Sequence, residues 1–550
     1  MCGLCGWIWT DEKRPVPVDV LQRMLTSLAH RGPDDSCIQV CGRAGLAHSR
    51  LSIIDLSSNG RQPMSNEDES LSLICNGEIY NFPELRLDLE SRGHRFRSQS
   101  DSEVILHLFE EKGDECVRDL NGMFAFAIWD KRHRRLFMAR DRFGKKPLFY
   151  FHAADRFLFS SESRAFLCDP QFRPIADLRA IHLYLAYQSV PAPFSAFEGV
   201  RKLPAAHTLT WHDGKIQVSR YWRLTHDNQF PASAEPAPEI YEELDSRFHK
   251  AVQSRMRSDV PLGAMLSGGL DSSMIVAVLA EKGGSSLATF SAGFNEADYD
   301  ERPFARLVAK HFGTMHEEIL VGPESSALLP ELVWHLSEPF GDSSALPTYL
   351  VCGMAREKVR VVLSGDGGDE CFAGYPRYQN IGEHALNSSF PSVWERWQQR
   401  WKNWRAFFRP GKGWVENFRR FSDHSQDRLL YYYRLAHFHE GYQERLLSSS
   451  FKEAIAGQMS VDLILQRFRE SHATSFCETL MEIDLGLYLP DTLMTKTDIS
   501  SMAHALEVRS PFLDHELVEF CFRLPTNWKL RNGVESKWML RNLAKKKLPG

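Results

Sequence analysis

Ser267-Gly268-Gly269-Leu270-Asp271-Ser272-Ser273 decides how the second half of this chain is read. The apolar run Gly263-Ala264-Met265-Leu266 leads into it, and Met274-Ile275-Val276-Ala277-Val278-Leu279-Ala280 leads out. The first run suits a short buried strand and the second a helix. Ser272 and Ser273 are expected at the helix N-terminus, where hydroxyls satisfy free N–H groups. The two glycines allow a tight turn and a close backbone approach to a ligand. Strand, glycine turn and helix start together make an anion site, with N–H groups and the positive end of the helix dipole facing it. No lysine follows the glycines, so this is not a Walker A loop. Asp271 is offered instead, a carboxylate suited to magnesium beside a phosphate. An ordinary Gly-Gly turn before a capped helix has the same local pattern, so the surroundings must decide.

Downstream, strand-like runs alternate with longer helical ones: Gly263–Leu266, Ser273–Glu281, Ala288–Gly293, Pro303–Phe312 and Val359–Leu363. That alternation predicts an α/β domain with a parallel sheet and crossover helices, whose ligands sit beyond the carboxyl ends of the strands. Residues Phe390–Glu470, rich in Trp, Arg and Phe, read as extra helices without assignable chemistry. Upstream, Thr225–Glu239 contains Pro231-Ala232-Ser233-Ala234-Glu235-Pro236-Ala237-Pro238, a proline-stiffened linker. Before it, short β-branched and aromatic runs alternate with turn signals: Leu71–Cys75, Met123–Trp129, Arg135–Ala139 and Phe157–Ser160. Only Val18–Leu28, Pro83–Arg92 and Ser102–Glu111 look helical there. The expectation is a layered α+β domain of mostly antiparallel sheets over residues 2–224, a linker over 225–238 and the α/β domain over 239–550.

Composition narrows the class. The chain has 550 residues, 43% hydrophobic and 25% charged, as in globular proteins with room for more than one core. A net charge of −5 gives no general nucleic-acid surface. No apolar run is long enough to span a bilayer, and the N-terminus lacks the features of a secretory signal, so no membrane partner is expected. Eleven scattered cysteines suit reduced thiols in a cytoplasm better than a disulfide framework.

The N-terminus carries its own chemistry. With Met1 removed, Cys2 holds a thiol and an α-amine on one residue, and an amine with an ordinary pKa of about 8 can act as the nucleophile's own base. A buried small hydrophobe and a zinc ligand, with Cys5, Cys37 and Cys41, are the other readings of Cys2; the loose spacing disfavours zinc. In Ala47-His48-Ser49-Arg50-Leu51-Ser52-Ile53-Ile54-Asp55, Arg50 is expected just ahead of an alternating strand. Asn76-Gly77-Glu78-Ile79-Tyr80-Asn81 puts a side-chain amide and a flexible N–H together after a strand, a candidate oxyanion hole. An arginine and an aspartate in one pocket would complement an amino acid's carboxylate and ammonium, and Arg50 and Asp101 are the candidates. Each has a plainer reading, Asn76-Gly77 as a hairpin turn and Asp101 as a helix cap.

Met-Cys-Gly, His-Arg-Gly-Pro-Asp, His-Ser-Arg-Leu-Ser-Ile-Ile-Asp, Asn-Gly-Glu-Ile-Tyr-Asn and Gly-Met-Phe-Ala-Phe-Ala, from Cys2 to about Leu167, resemble the glutaminase domain of class II glutamine amidotransferases. Ser-Gly-Gly-Leu-Asp-Ser-Ser resembles the pyrophosphate loop of enzymes that cleave ATP between its α and β phosphates. Together they are similar to the glutamine-hydrolysing asparagine synthetase family. The resemblance implies that Cys2 is the nucleophile and that Asn76 and Gly77 form the oxyanion hole. Arg50, Asp101 and the backbone of Ile53, Ile54 and Glu78 would hold glutamine. It implies an ATP site from Leu266, Ser267, Gly268, Gly269, Leu270, Asp271 and Ser272, with Ala292 at the adenine and Ser364 and Gly365 opposite. Leu363-Ser364-Gly365-Asp366-Gly367-Gly368-Asp369-Glu370 follows the strand Val359–Leu363, so its carboxylates are expected to meet Asp271 at one sheet edge. Asp271 and Asp369 are the implied Mg²⁺ ligands. Asp366, where many members carry glutamate, and Lys537, in Glu535-Ser536-Lys537-Trp538, are the implied catalytic groups of the ATP-dependent half.

The implied reaction takes ammonia from glutamine through an interior tunnel and amidates an adenylated carboxylate, most simply aspartate. Its partners are glutamine, ATP and the acceptor; a homodimer is compatible with it. Family members usually continue past Leu548-Pro549-Gly550, which implies a short variant or a truncated C-terminus. The glutaminase motifs are blind to the acceptor, so a peptide or cell-envelope precursor is the alternative. A β-lactam-synthetase-like cyclase needs no ammonia, and a tRNA-binding relative would show a basic groove or zinc cluster.

Overall fold

The computed structural model describes residues 2–226, 230, 235–283, 286–379, 426–473 and 475–549. Its first half contains two antiparallel six-stranded sheets. One has the order β10-β8-β9-β1-β3-β2, with β1 Gly3–Trp9, β2 Asp35–Cys41, β3 Ala44–Arg50, β8 Phe149–His152, β9 Arg156–Ser160 and β10 Val200–Lys202. The other has the order β12-β11-β7-β6-β5-β4, with β4 Met64–Ser65, β5 Leu71–Ile79, β6 Gly122–Asp130, β7 Arg135–Arg140, β11 His207–His212 and β12 Lys215–Arg220.

The two-residue period of a strand explains the layering. In β6 the small Ala125 and Ala127 join Leu4, Ile8 and Leu46 between the sheets. Phe124, Phe126 and Ile128, one residue out of step, pack outward with Val104 and Leu108 of the helix Glu103–Lys112. In β1, Trp7 and Trp9 likewise turn outward onto Leu21 and Met24 of the helix Val18–Ser27. The result is helix, sheet, sheet, helix, with Cys2 just ahead of β1.

The second half is built on a parallel sheet, β15-β14-β13-β16-β17, with β13 Leu262–Met265, β14 Ala288–Gly293, β15 Met315–Leu320, β16 Val361–Leu363 and β17 Glu507–Arg509. The connectivity reverses direction between β13 and β16, where open α/β sheets leave a crevice for ligands. The loop 266–270 leaves β13 and the acidic loop leaves β16, so both open at that crevice. β15 and β17 were not expected from sequence: Met315-His316-Glu317-Glu318-Ile319-Leu320 is polar for a strand, and β17 has only three residues.

Two further expectations are corrected. Asn76 and Gly77 lie within β5, opposite Ala125 and Phe124, and form no turn. Arg50 ends β3 and no strand follows, because its guanidinium donates to the carbonyls of Ser57 (2.8 Å), Ile54 (3.4 Å) and Asp55 and curls residues 51–57 into a loop. Of the stretch read as Phe390–Glu470, the described part is helical over Gln426–Leu435, Glu440–Leu446, Ser449–Ala454 and Ser460–Glu470; residues 390–425 lie outside the described residues. The linker expected over 225–238 lies partly outside them, at 227–229 and 231–234, and a helix starts at Pro238. Among the described residues no helix is long and apolar enough to cross a membrane.

Candidate functional site

Two clusters of polar side chains make up the candidate site, one in each half. In the first, the Cys2 nitrogen donates to Asn76 Oδ1 at 3.0 Å, and Cys2 Sγ lies 4.0 Å from the Leu51 carbonyl. Asn76 is fully buried, and its Nδ2 has no hydrogen-bond partner among the described residues. A buried amide donor left open beside a thiol is suited to receive a developing oxyanion. Gly77 is required sterically: a Cβ there would stand 2.0 Å from the Met123 carbonyl oxygen. Burial pushes the Cys2 thiol up, against the lowering effect of the Leu51 contact and of Arg50.

Asp101 accepts from the Ile79 N–H at 2.7 Å instead of capping the helix that begins at Glu103. Burial pushes its carboxyl up to about 6, against that hydrogen bond. Ile53 is buried and Ile54 half-buried in the loop that Arg50 ties down. Glu78 is buried, with Arg509 Nη2 of β17 at 3.5 Å from its carboxylate.

The second cluster lies at the crevice. The helix after β13 runs Leu270–Gly283, so Ser272 and Ser273 sit inside its first turn. Ser267 makes the contact expected of a cap, accepting from the Gly269 N–H at 3.2 Å, and Ser272 donates to the Gly269 carbonyl at 3.1 Å. Gly268 has φ +85°, and a Cβ there would be 2.6 Å from the Ala305 nitrogen. Leu266 holds the loop to the neighbouring strand by donating to the Phe290 carbonyl at 2.8 Å, two residues before the half-buried Ala292.

Gly365 and Gly368 let the acidic loop close on this one: a Cβ on Gly368 would be 2.4 Å from Asp271 Cγ, and one on Gly365 3.1 Å from Asp271 Cβ. Lys537 Nζ bridges the two loops, 2.5 Å from Asp271 Oδ2 and 2.8 Å from Asp369 Oδ1. It is no solvated surface lysine, with 12% of its side chain exposed. Its backbone adopts φ +54°, a left-handed conformation that carries a cost for a residue with a side chain. Burial pushes Asp271 up to about 6 in spite of Lys537, while Asp271 and Asp369 together outweigh burial and hold the ammonium above its ordinary range.

Two carboxylates on one ammonium, with Asp271 Oδ1 buried and unpartnered among the described residues, are a donor set that fits Mg²⁺, which takes one or two carboxylates beside phosphate oxygens. Asp366 is engaged elsewhere, accepting from Ser364 Oγ at 2.8 Å and Thr497 Oγ1 at 3.3 Å.

The connection between the clusters was not legible from sequence. Arg31 is fully buried. It donates to the Cys2 carbonyl (3.1 Å), Glu162 (2.9 Å) and Asp498 of the second half (2.7 Å). Lys146 Nζ lies 3.4 Å from the other Asp498 oxygen. Beside these charges runs an apolar contact in which Leu51, Ile53, Tyr80 and Met123 meet Val361, Met502 and Ala505. A small cavity there is lined by Lys145, Lys146, Met494, Thr497, Asp498 and Ser510, and Thr497 on its wall donates to Asp366. Arg31 stood inside a quoted motif, but nothing local marks Thr497 or Asp498 as its neighbours.

The family profile described as "Glutamine amidotransferase domain" matches residues 1–222, and the one described as "Asparagine synthase" matches 243–550. The chain is 33% identical to "Asparagine synthetase [glutamine-hydrolyzing] 1" of Bacillus subtilis, over 99% of this chain and 85% of that protein. It is 31% identical to "Asparagine synthetase [glutamine-hydrolyzing] 3" of the same organism, over 100% and 85%. A "Putative asparagine synthetase [glutamine-hydrolyzing] 2" of Methanocaldococcus jannaschii is 38% identical over 69% of this chain and 76% of its own. With one profile over more than half of its length and such relatives along all of it, the chain belongs to the asparagine synthase family.

Proposed function

We propose that the chain converts aspartate to asparagine in the cytoplasm, with glutamine as nitrogen donor and ATP cleaved to AMP and pyrophosphate. We assign the glutaminase reaction to residues 2–224 and the ATP-dependent reaction to 239–550. The observation that carries this reading is Arg31, which bonds the Cys2 carbonyl and Asp498 at once and so couples the nucleophile to the ATP-dependent half.

In the first half-reaction the Cys2 thiol attacks the side-chain amide carbon of glutamine, and its proton passes by way of the α-amine to the leaving ammonia. Asn76 Nδ2 and the Gly77 N–H stabilise the oxyanion. Water then hydrolyses the thioester to glutamate. Arg50 and Asp101 hold the glutamine carboxylate and ammonium; Arg50 must release backbone carbonyls to do so.

In the second half-reaction an acceptor carboxylate oxygen attacks the α-phosphorus of ATP and expels pyrophosphate into the loop 267–272. Ammonia attacks the acyl carbon and AMP departs. Lys537 supplies a fixed positive charge where negative charge grows. Mg²⁺ held by Asp271 and Asp369 would neutralise phosphate charge.

The test is a screen of acceptors with ATP and glutamine. Aspartate is expected to yield asparagine, AMP, pyrophosphate and glutamate in equal amounts. Cys2→Ala is expected to abolish this with glutamine and to retain it with ammonia. If aspartate releases no pyrophosphate, the acceptor is another carboxylate, in a peptide or a cell-envelope precursor.

A further inference from the structure

The outer helix layer of the first half carries a cluster that the glutaminase chemistry does not use. Glu67 precedes β5, His94 follows the helix Phe82–Ser91, and His107 and Glu110 lie one turn apart on the helix Glu103–Lys112. One donor atom from each of the four lies within 4.8 Å of all the others. His107 Nδ1 is 3.0 Å from Glu110 Oε2 and 3.7 Å from Glu67 Oε2, and His94 Nδ1 is 3.6 Å from Glu110 Oε2. His107 is almost wholly buried.

The far side of three of these groups is hydrogen-bonded, and that of the fourth faces a carboxylate. Glu67 Oε1 accepts from the Arg95 N–H at 3.0 Å, and Glu110 Oε1 from Asn66 Nδ2 at 2.8 Å. His94 Nε2 is 3.0 Å from Glu111 Oε1, and His107 Nε2 faces Glu103 Oε1 at 3.8 Å, an ion-pair distance without a hydrogen bond. An outer carboxylate behind each imidazole and an outer donor behind each ligating carboxylate is the arrangement that orients metal ligands. It leaves two nitrogens and two oxygens converging on one point. We propose that Glu67, His94, His107 and Glu110 bind a divalent transition cation, with zinc the best fit. Tetrahedral zinc with nitrogen and oxygen donors at about 2.0–2.2 Å needs donor separations of roughly 3.3–3.5 Å, a contraction that the exposed Glu67 and the half-buried His94 permit. Without the metal, Glu103, Glu110 and Glu67 overcome burial and hold His107 protonated, up to about 9; the cation would replace that proton.

The site has a structural reach. Glu103, behind His107, accepts from the Arg97 and Ser98 N–H groups (2.7 and 2.8 Å), and the Gln99 N–H donates to Asp55 at 2.8 Å. The metal would therefore pin the segment 94–103 that carries Asp101.

The experiment strips the full chain with a chelator, adds zinc in increments and measures bound metal and the unfolding midpoint. One more equivalent is expected in the wild type than in His94→Ala, with a raised midpoint. The difference matters because the eleven free thiols can also bind zinc. Glu111→Gln, which removes only an outer carboxylate from the exposed end of the cluster, is expected to weaken binding by about 10–100-fold. Cobalt at the site is expected to show visible d–d bands without a thiolate charge-transfer band. Equal zinc in the wild type and His94→Ala, or a cobalt spectrum dominated by thiolate, overturns the proposal and leaves the cluster as a protonated His107 among carboxylates.

Discussion

Lys537 and Asp271 show how a single residue tunes its neighbour. Asp271 must be ionised to hold a cation, yet burial raises it to about 6, and Lys537 is the main influence lowering it. A carboxyl raised in this way gains a proton as pH falls through about 6 and loses its value as a ligand. ATP–pyrophosphate exchange, which needs no ammonia, is therefore expected to fall as pH drops below about 6. Lys537→Ala removes the lowering influence, so the same limb is expected at higher pH, with a lower plateau. A limb that does not move between the two proteins would disconnect Lys537 from the ionisation of Asp271.

At the scale of elements, the crevice depends on two loops approaching closer than side chains normally permit. Gly368 supplies that approach, since its hypothetical Cβ falls on the Asp271 carboxylate. Gly368→Ala is expected to displace the carboxylate by about 1 Å and slow ATP cleavage on the order of 100-fold, as small misplacements at reacting centres do. Gly486→Ala, where nothing lies within 4 Å, is the matched control and should leave the rate unchanged. Glutaminase activity is expected to persist in both. The same elements show what local pattern conveys. β6 was legible because it is an apolar, aromatic-rich run bounded by turn residues and buried on both faces, whereas β15 was not, because its polar side chains hide a strand whose backbone is fully paired to β14.

For the whole molecule, the contact between the halves is the proposed point of coupling. Arg31, Glu162, Lys146 and Asp498 form a buried charge network, and burial of Glu162 is overcome by His30, Arg31 and Arg164, which hold it well below the ordinary range. Deleting one member of such a network costs about 3–5 kcal/mol, because it strands the others. Asp498→Asn keeps the shape and removes the charge. It is expected to lower the unfolding midpoint and to raise the glutamine consumed per amidated product above one, while ammonia-dependent synthesis continues. A ratio that stays at one would show that Asp498 serves the ATP-dependent half alone.

The sequence by itself determined the two architectures and the identity of the motifs: the alternation of strands with helices after Pro238, the aromatic strands before Thr225, and the stretches around Cys2, Asn76, Asp271, Asp369 and Lys537. Periodicity and turn chemistry are local properties, so they are written in neighbouring residues. The tertiary structure alone decided that Lys537 spans two loops from positions 266 and 168 residues away, that Arg50 curls the loop after it, and that Arg31 reaches Asp498 across 467 residues. These contacts join elements from separate layers, and the burial that makes their charges consequential exists only once the layers have packed.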